Sequence, residues 1–231
     1  MKDIKMPNPG YGASAHYQGQ DGVSYFSAQA QAGRLGARWN LSVWNEYIRP
    51  EDSVLDFGCG GGYLLSVLQC QTRVGVEINP AARVMAESLG IDVYETLEGV
   101  NDMRFSRVIS SHALEHVPSP LIALKQMYSC VAEMGQLLLL LPLDDWRSSA
   151  HRNYYAGDVH RHLYAWTPQN LGNLLDEAGF KKINVNVVTD AMPPNFRLTE
   201  IVLKSNTLRS IVGPLFGYLL RRRQLFACAT I

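Results

Sequence analysis

The sequence predicts a doubly wound α/β fold, a parallel sheet with helices on both faces. Three observations lead there. From about residue 50 onward, short apolar runs alternate with helical patterns. One of those runs, Val54-Leu55-Asp56-Phe57, passes into a glycine turn at 58–62, and Tyr63-Leu64-Leu65 then opens a helical pattern. Three helix starts share one chemistry, a capping side chain followed by proline: Asn79-Pro80, Ser119-Pro120 and Thr167-Pro168.

Residues 1–20 are rich in Gly, Pro, Asn, Gln and Tyr and are expected to form a mobile or draped arm. Residues 24–48 place Phe26, Leu35, Trp39, Val43, Trp44 and Tyr47 at helical spacing, with Gly33 and Gly36 interrupting. That pattern predicts one or two helices ended by Pro50. Residues 1–48 are therefore expected to be an N-terminal arm and helical lid, with Tyr17, Tyr25 or Arg38 reaching the site, ahead of one domain spanning 49–231. Strands are expected at roughly 53–57, 73–77, 91–95, 106–110 and 136–141. Gly90, Gly135 and Gly179 stand where helix C-terminal glycines belong. Ile183, Val185 and Val187 alternate through a sixth strand at 182–188, and 223–230 reads as a seventh. Segment 211–223 joins a mostly apolar run to Arg221-Arg222-Arg223. Gly213, Pro214 and Gly217 make it a poor amphipathic helix, so it is expected to cover the sheet rather than lie on a membrane.

Composition narrows the function. The chain has 21 basic and 21 acidic residues. A nucleic-acid binder shows a basic excess or stripe, so no nucleic-acid partner is expected. Charged residues make up 18% of the chain, against about 25% in a typical soluble domain. A somewhat apolar surface follows, as a homodimer or an amphiphilic substrate would want. The four cysteines show no paired spacing, as expected of buried thiols in a reducing, cytoplasmic setting. The first residues lack the apolar region of a signal peptide, and no apolar stretch reaches about 18 residues.

The glycine turn carries the chemistry. A strand feeding such a turn and then a helix makes a concave site at the strand's carboxyl end. Glycines there allow positive φ and let a ligand lie on the backbone. Glu77 follows about twenty residues later at the end of the next apolar run, where a carboxylate can accept both hydroxyls of a ribose. The site is shaped for a nucleoside-bearing cofactor. The dinucleotide fingerprint does not fit, because Tyr63 stands where its third glycine belongs. Asp56 would repel a pyrophosphate but can accept from an ammonium group. A cofactor with an amino-acid end and an adenosine end meets both demands.

At this point the sequence resembles the class I S-adenosylmethionine-dependent methyltransferases. The resemblance runs from about residue 50 to 190. It rests on Asp56 to Gly62, on Val-Gly-Val-Glu-Ile-Asn-Pro (74–80), on Ser-Ser-His-Ala-Leu-Glu-His-Val-Pro-Ser-Pro (110–120), and on Gly-Gln-Leu-Leu-Leu-Leu-Leu-Pro (135–142). It implies a Rossmann-like, seven-stranded, mostly parallel sheet whose last strand runs antiparallel, with S-adenosyl-L-methionine as cofactor. The implied activity is methyl transfer to an oxygen or nitrogen of a small molecule or sugar-linked intermediate. The alternative is a protein that binds the cofactor without turnover. By resemblance, Gly58, Gly60 and Gly62, with Cys59 between them, cradle the methionine part, and Asp56 lies near its amino group. Glu77 holds the ribose, Ile78 lies against the adenine, and Glu95 is a candidate for the adenine amine beside Thr96 and Glu98. Ser111 completes the cofactor set. Phe105-Ser106 stands where many relatives carry Phe-Asp.

Two further regions bear on the acceptor. His112, Glu115 and His116 formally spell an inverted zinc-protease motif. That motif needs a helix presenting both histidines and a further ligand, whereas this one falls in a loop ending in Val117-Pro118, so no metal site is assigned. In the resemblance the segment lies beside the expected methyl, and His116 or His112 is a candidate base. A packed, loop-holding His116 and a divalent-ion ligand are the other readings. The second region is an insertion at about 142–166, which mixes aromatics and hydrogen-bonding groups as a sugar pocket does. Loops of this length are usually functional or disordered, and aromatic richness argues against disorder. Trp146, Tyr154, Asp158 and His162 are its candidate substrate residues. The stretch 158–168 resembles a segment of methyltransferases from bacterial polysaccharide and natural-product clusters, consistent with a small-molecule or saccharide acceptor. Leu163, Tyr164 and Trp166 are expected to pack.

Overall fold

Leucines 137 to 141 fill one strand without a polar interruption because both of its faces are covered. Leu137, Leu139 and Leu141 belong to one buried cluster, while Leu138 and Leu140 belong to another on the opposite face. Such two-sided burial is the mark of a central strand in a helix-covered sheet. The computed structural model describes residues 10–12, 14–143, 153–154, 156–158 and 160–231. Its strands are β1 (Ser53–Phe57), β2 (Thr72–Val76), β3 (Asp92–Tyr94), β4 (Phe105–Ser111), β5 (Val131–Pro142), β6 (Lys181–Val188) and β7 (Gln224–Thr230). They form one sheet in the order β3-β2-β1-β4-β5-β7-β6. β7 pairs antiparallel with both β5 and β6, and the other pairings are parallel. The expected seven-stranded, mostly parallel, Rossmann-like sheet is thus the observed one.

The helices are α1 (Gly19–Asn45), α2 (Tyr63–Val67), α3 (Pro80–Ser88), α4 (Pro120–Cys130), α5 (Pro168–Glu177), α6 (Phe196–Val202) and α7 (Asn206–Leu219). One face of the sheet packs on α4 and α5 through Ala123, Leu124, Met127, Leu171 and Leu175. The other packs on α1, α2 and α3 through Trp44, Leu64, Leu65 and Ala86. From β1 the chain moves outward through β2 and β3, then returns to lay β4 on the other side of β1. The crevice at this reversal, at the carboxyl ends of β1, β2 and β4, is where a doubly wound sheet binds ligands.

Two of the three proline-led helix starts carry their caps. Asn79 accepts from the backbone N–H groups of Ala81 and Ala82, and Thr167 and Asn170 form a reciprocal capping box. Ser119 precedes Pro120 as expected but makes no side-chain cap bond. Gly90 and Gly179 follow helix ends with φ of 76° and 105°. Gly135 does not. α4 stops at Cys130, Val131 already pairs with Phe105, and a Cβ on Gly135 would meet the Ala132 carbonyl at 2.8 Å. Close packing inside the bulged start of β5 requires that glycine.

α1 runs unbroken through Gly33 and Gly36. A Cβ on Gly33 would sit 3.3 Å from the Tyr63 ring, so the absent side chain lets α1 settle on α2. The loss of roughly 1 kcal/mol per helical glycine is set against the burial of Trp39 and Trp44. α7 is likewise one helix with Pro214 inside it. Its glycines face the loop after β6, where a Cβ on Gly213 would meet Asp190 Oδ1 at 2.5 Å. Asp190 accepts from Trp39 Nε1 at 2.7 Å and pairs with Arg209 at 3.2 Å, while Arg209 Nε donates to the Trp39 carbonyl. α1, α7 and the end of β6 are thereby clasped together. Among the described residues, no helix is long and apolar enough to cross a membrane.

Candidate functional site

Above the crevice lies a cavity of about 740 Å³. Its floor is the turn after β1. The N–H groups of Gly58 and Cys59 both donate to the Val76 carbonyl, which bends the chain back over β2. Gly58, Gly60 and Gly62 all take positive φ, at 75°, 53° and 71°. A Cβ on Gly58 would lie 2.3 Å from that of Ala113, so the glycine brings the β1 turn against the β4 loop. Cys59 turns its thiol into the sheet, where a Cβ on Gly75 would meet its sulfur at 2.5 Å. Its backbone lines the cavity, and burial pushes the thiol pKa well up. The residue is a packing piece and not a nucleophile.

Glu77 stands at the end of β2 with its carboxylate held from both sides. Oε2 accepts from the Gly60 N–H and Oε1 from the Asn79 N–H, each at 2.8 Å. Burial raises its pKa, and these amides oppose the rise. A carboxylate has about four lone-pair positions, so acceptors remain for a ligand. Arg83 fixes the segment from behind by donating to the carbonyls of Glu77 and Ile78. Asp56 is 2% exposed, and its Oδ1 has no hydrogen-bond partner among the described residues. Burial, with the charge of Glu77 added, holds its pKa well above the usual carboxylate range. Ile78 and Ser111 line the cavity. Glu95 does not; it pairs with Arg83 at 3.3 Å.

The opposite wall is rich in imidazole. Glu115 is fully buried, and His112 is its nearest hydrogen-bonding neighbour. Its Oε1 lies 3.6 Å from His112 Nδ1, 3.9 Å from His116 Nε2 and 4.0 Å from His162 Nε2. Burial raises the Glu115 pKa, but the three imidazoles outweigh that and leave it lowered. His112 sits at the strand end with φ 52°, an uncommon conformation for a residue with a side chain. Its Nε2 hydrogen-bonds Gln224 Oε1 at 2.7 Å. His116 is bonded through Nδ1 to the Tyr17 hydroxyl at 2.7 Å.

The structure thus brings His112, His116 and His162 to one wall, and Asp56, Gly58, Gly60, Glu77, Ile78 and Ser111 to the other, whereas Gly62 does not line the cavity and packs against Ala86 of α3. Asp158 instead accepts from the backbone N–H groups of His160 and Arg161, shaping the loop that delivers His162. Tyr154 is 90% exposed and does not line the cavity. Trp146 lies outside the described residues. Trp166 is buried as expected, but Leu163 is more than half exposed, and Tyr164 is tied through its hydroxyl to the Pro118 carbonyl. Tyr17 and Tyr25 line the cavity, whereas Arg38 is exposed and does not. Tyr11, within the expected arm, is buried edge-on against Phe57.

Sequence reading missed three contributors. Asn79 donates through Nδ2 to the Gly22 carbonyl and so ties α1 to α3. Arg83 braces the Glu77 backbone, and Gln224 reaches His112 from the last strand. Asn79 was legible as a cap and Arg83 lies within six residues of the carbonyls it braces, but the bonds of Asn79 to Gly22 and of Gln224 to His112 are long-range and leave no local signal.

Residues 16–185 match the family described as methyltransferase domain. No curated protein sequence matches the chain. Solved structures share its fold. A SAM-dependent methyltransferase from Thermotoga maritima is 15% identical, with 90% of this chain and 95% of that one covered at a TM-score of 0.64. One from Archaeoglobus fulgidus is 18% identical over 85% and 94% of the two chains, with a TM-score of 0.59. A plantazolicin methyltransferase, in complex with a triazolic desmethylPZN analog and SAH, is 12% identical over 90% and 88%, with a TM-score of 0.58. With the greater part of its length matching that family and its sheet wound as theirs is, the chain belongs to the methyltransferase-domain family of class I, S-adenosylmethionine-dependent proteins.

Proposed function

We propose that this protein transfers the methyl group of S-adenosylmethionine to an oxygen or nitrogen atom of a small-molecule or sugar-linked acceptor. One observation carries the reading: a single cavity joins the glycine turn and the amide-held Glu77 on one wall to the imidazole cluster on the other. The residues fit the cofactor. Asp56 Oδ1, buried and without a hydrogen-bond partner, suits its ammonium group, and the two bonds to Glu77 aim a carboxylate at its ribose. When bound, the cofactor supplies an electrophilic methyl on a sulfonium. The chain's own part is placement, which supplies much of the acceleration of an in-line displacement. Ser111 and His112, at the end of β4, would stand beside the acceptor, with His116 and His162 behind. An O–H or N–H acceptor must also lose a proton, and His112, the most exposed of the three, is the proposed receiver.

Of the expected lid at 1–48, residues 1–9 and 13 lie outside the described residues, and residues 10–12 and 14–48 are proposed as the lid. Phe26, Gln29 and Gly33 of α1 face the cavity. S-adenosylhomocysteine is expected to slow proteolysis of this segment, and cleavage at an unchanged rate counts against a lid.

Calorimetry with S-adenosylhomocysteine, followed by a methyl-release assay on sugar, phenol and amine acceptors, tests the activity. A protein that binds without turnover gives the first signal and not the second. Absence of both overturns the reading.

Asp56 gives a sharper prediction. A carboxyl whose folded pKa is raised costs stability that grows as pH rises above its unfolded value. Asp56→Asn is therefore expected to raise the melting temperature of the ligand-free protein near neutral pH. The same change is expected to weaken S-adenosylhomocysteine about 10–100-fold, the worth of one charged hydrogen bond at ~1.5–3 kcal/mol. A melting scan and a titration check the two opposed shifts.

A further inference from the structure

We propose that the outer face of α7 docks on an anionic membrane surface. The helix is seated by its inner side. A Cβ on Gly217 would lie 2.9 Å from the Asp190 nitrogen, the Ala191 N–H donates to the Gly213 carbonyl at 3.1 Å, and Arg209 reaches the Trp39 carbonyl. At about 100° per residue, the side opposite those glycines carries Leu208, Ile211, Leu215, Tyr218 and Leu219, all within about a third of the circumference. All five are exposed, Ile211 by 61%, Leu219 by 64% and Tyr218 by 78%. A surface helix ordinarily turns its polar face outward, so this one is inverted. An exposed apolar stripe of this size marks an interaction site. Gly213 and Gly217, which spoil the amphipathic pattern in the sequence, lie on the inner side and leave the outer stripe whole. Ser205 caps the helix by accepting from the Leu208 N–H, so α7 is formed before it meets a partner.

The charge around the stripe selects the partner. Residues 192–223 hold six basic side chains and one acidic one, Glu200, in a chain with 21 of each. Arg209 is committed to Asp190, and Arg197, Lys204, Arg221, Arg222 and Arg223 are exposed. Attraction to anionic headgroups needs net charge near the surface and no particular side-chain contact. Lys204 stands ahead of the helix and the three arginines follow it. An aliphatic stripe with basic groups at both ends is the pattern of a helix lying in the headgroup layer, and Tyr218 suits that depth. A second copy of this chain fits less well, because an isologous contact would bring the same basic groups together around its axis. The segment also borders the cavity, which Phe196, Arg222 and Arg223 line. The docking face stands on geometry and charge. Its use, receiving an amphiphilic acceptor from the lipid surface, rests on the methyl-transfer reading.

The test centrifuges the full-length protein with vesicles of phosphatidylcholine and with vesicles of a two-to-one phosphatidylcholine and phosphatidylglycerol mixture. Expected are sedimentation with the anionic vesicles, little with the neutral ones, and release as salt is raised. Ile211→Gln combined with Leu215→Gln is expected to weaken the affinity for anionic vesicles by about ten-fold or more, since each change takes an apolar side chain out of the contact. Lys204→Gln combined with Arg221→Gln is expected to weaken it roughly twenty-fold, at about five-fold per charge. All four positions are exposed, so both variants should keep the parent's melting temperature. No sedimentation with anionic vesicles, or an unchanged affinity in either variant, overturns the proposal. A dimer in sedimentation velocity that dissociates in the Ile211→Gln, Leu215→Gln variant assigns the stripe to a second copy and overturns it as well. S-adenosylhomocysteine is titrated into the same preparation. Cofactor binding without vesicle binding removes only the docking face, and vesicle binding without cofactor binding removes only the methyl-transfer reading.

Discussion

Glu77→Ala is expected to weaken S-adenosylhomocysteine about a hundred-fold, with no comparable loss of fold. The variant removes two bonds from ribose hydroxyls to a charged acceptor, each worth ~1.5–3 kcal/mol, and the lower end of that range already gives about a hundred-fold. It also releases the Gly60 and Asn79 N–H groups, which lose their acceptor and so loosen the turn and the start of α3. Glu77→Gln keeps one carbonyl acceptor and should fall between. Calorimetry measures the affinities, and circular dichroism confirms that the sheet persists. An affinity within about three-fold of the parent would show that the carboxylate does not grip the ligand.

Gly58→Ala is the second large effect, and here stability falls with binding. The residue must adopt φ 75°, which costs an L side chain on the order of 1–2 kcal/mol. Its new methyl would also lie 2.3 Å from the Ala113 Cβ, so the β1 turn and the β4 loop must part. A total loss of about 2–4 kcal/mol is expected, and at ~2–4 °C per kcal/mol for a chain of this size the melting temperature falls by roughly 4–16 °C. Binding should weaken as well, because the same displacement moves Ser111 and His112. The companion change Ala113→Gly removes the steric part and leaves the backbone strain. The double variant is therefore expected to recover a good share of the loss, a coupling that a melting-temperature cycle measures directly. Equal melting temperatures for Gly58→Ala alone and the parent would refute the packing argument.

Much of this architecture was legible because its causes are local. Apolar runs of the right length became strands, and the glycine turn bent as its residues require. Asn79 and Thr167 capped the helices they precede. Ser119 has the same local signature and makes no cap, so proline set that boundary without it. Gly33, Gly135 and Gly213 misled for one shared reason. A glycine can end a helix or admit a close neighbour, and only the neighbour decides. Tyr63, in the next helix, is such a neighbour for Gly33, and Asp190 is one for Gly213. The cofactor wall was readable because Asp56 to Gly62 and Glu77 lie on adjacent strands. The facing wall was readable only in part. His112, Glu115 and His116 are contiguous, but His162 comes from the insertion, Gln224 from the last strand and Tyr17 from ahead of α1, and no pattern within a short window joins them. Glu95 shows the reverse: a residue placed by resemblance pairs instead with the nearby charge of Arg83.

The insertion of β7 between β5 and β6 has a consequence for biosynthesis. Among the described residues, β6 finds its only strand neighbour in β7, and the outer edge of β5 pairs with residues 224–230 alone. Until those residues have been translated, a leucine-rich border of unmet amides stands open to other nascent chains. The interior of this sheet is therefore closed by a strand made after both of the strands that flank it.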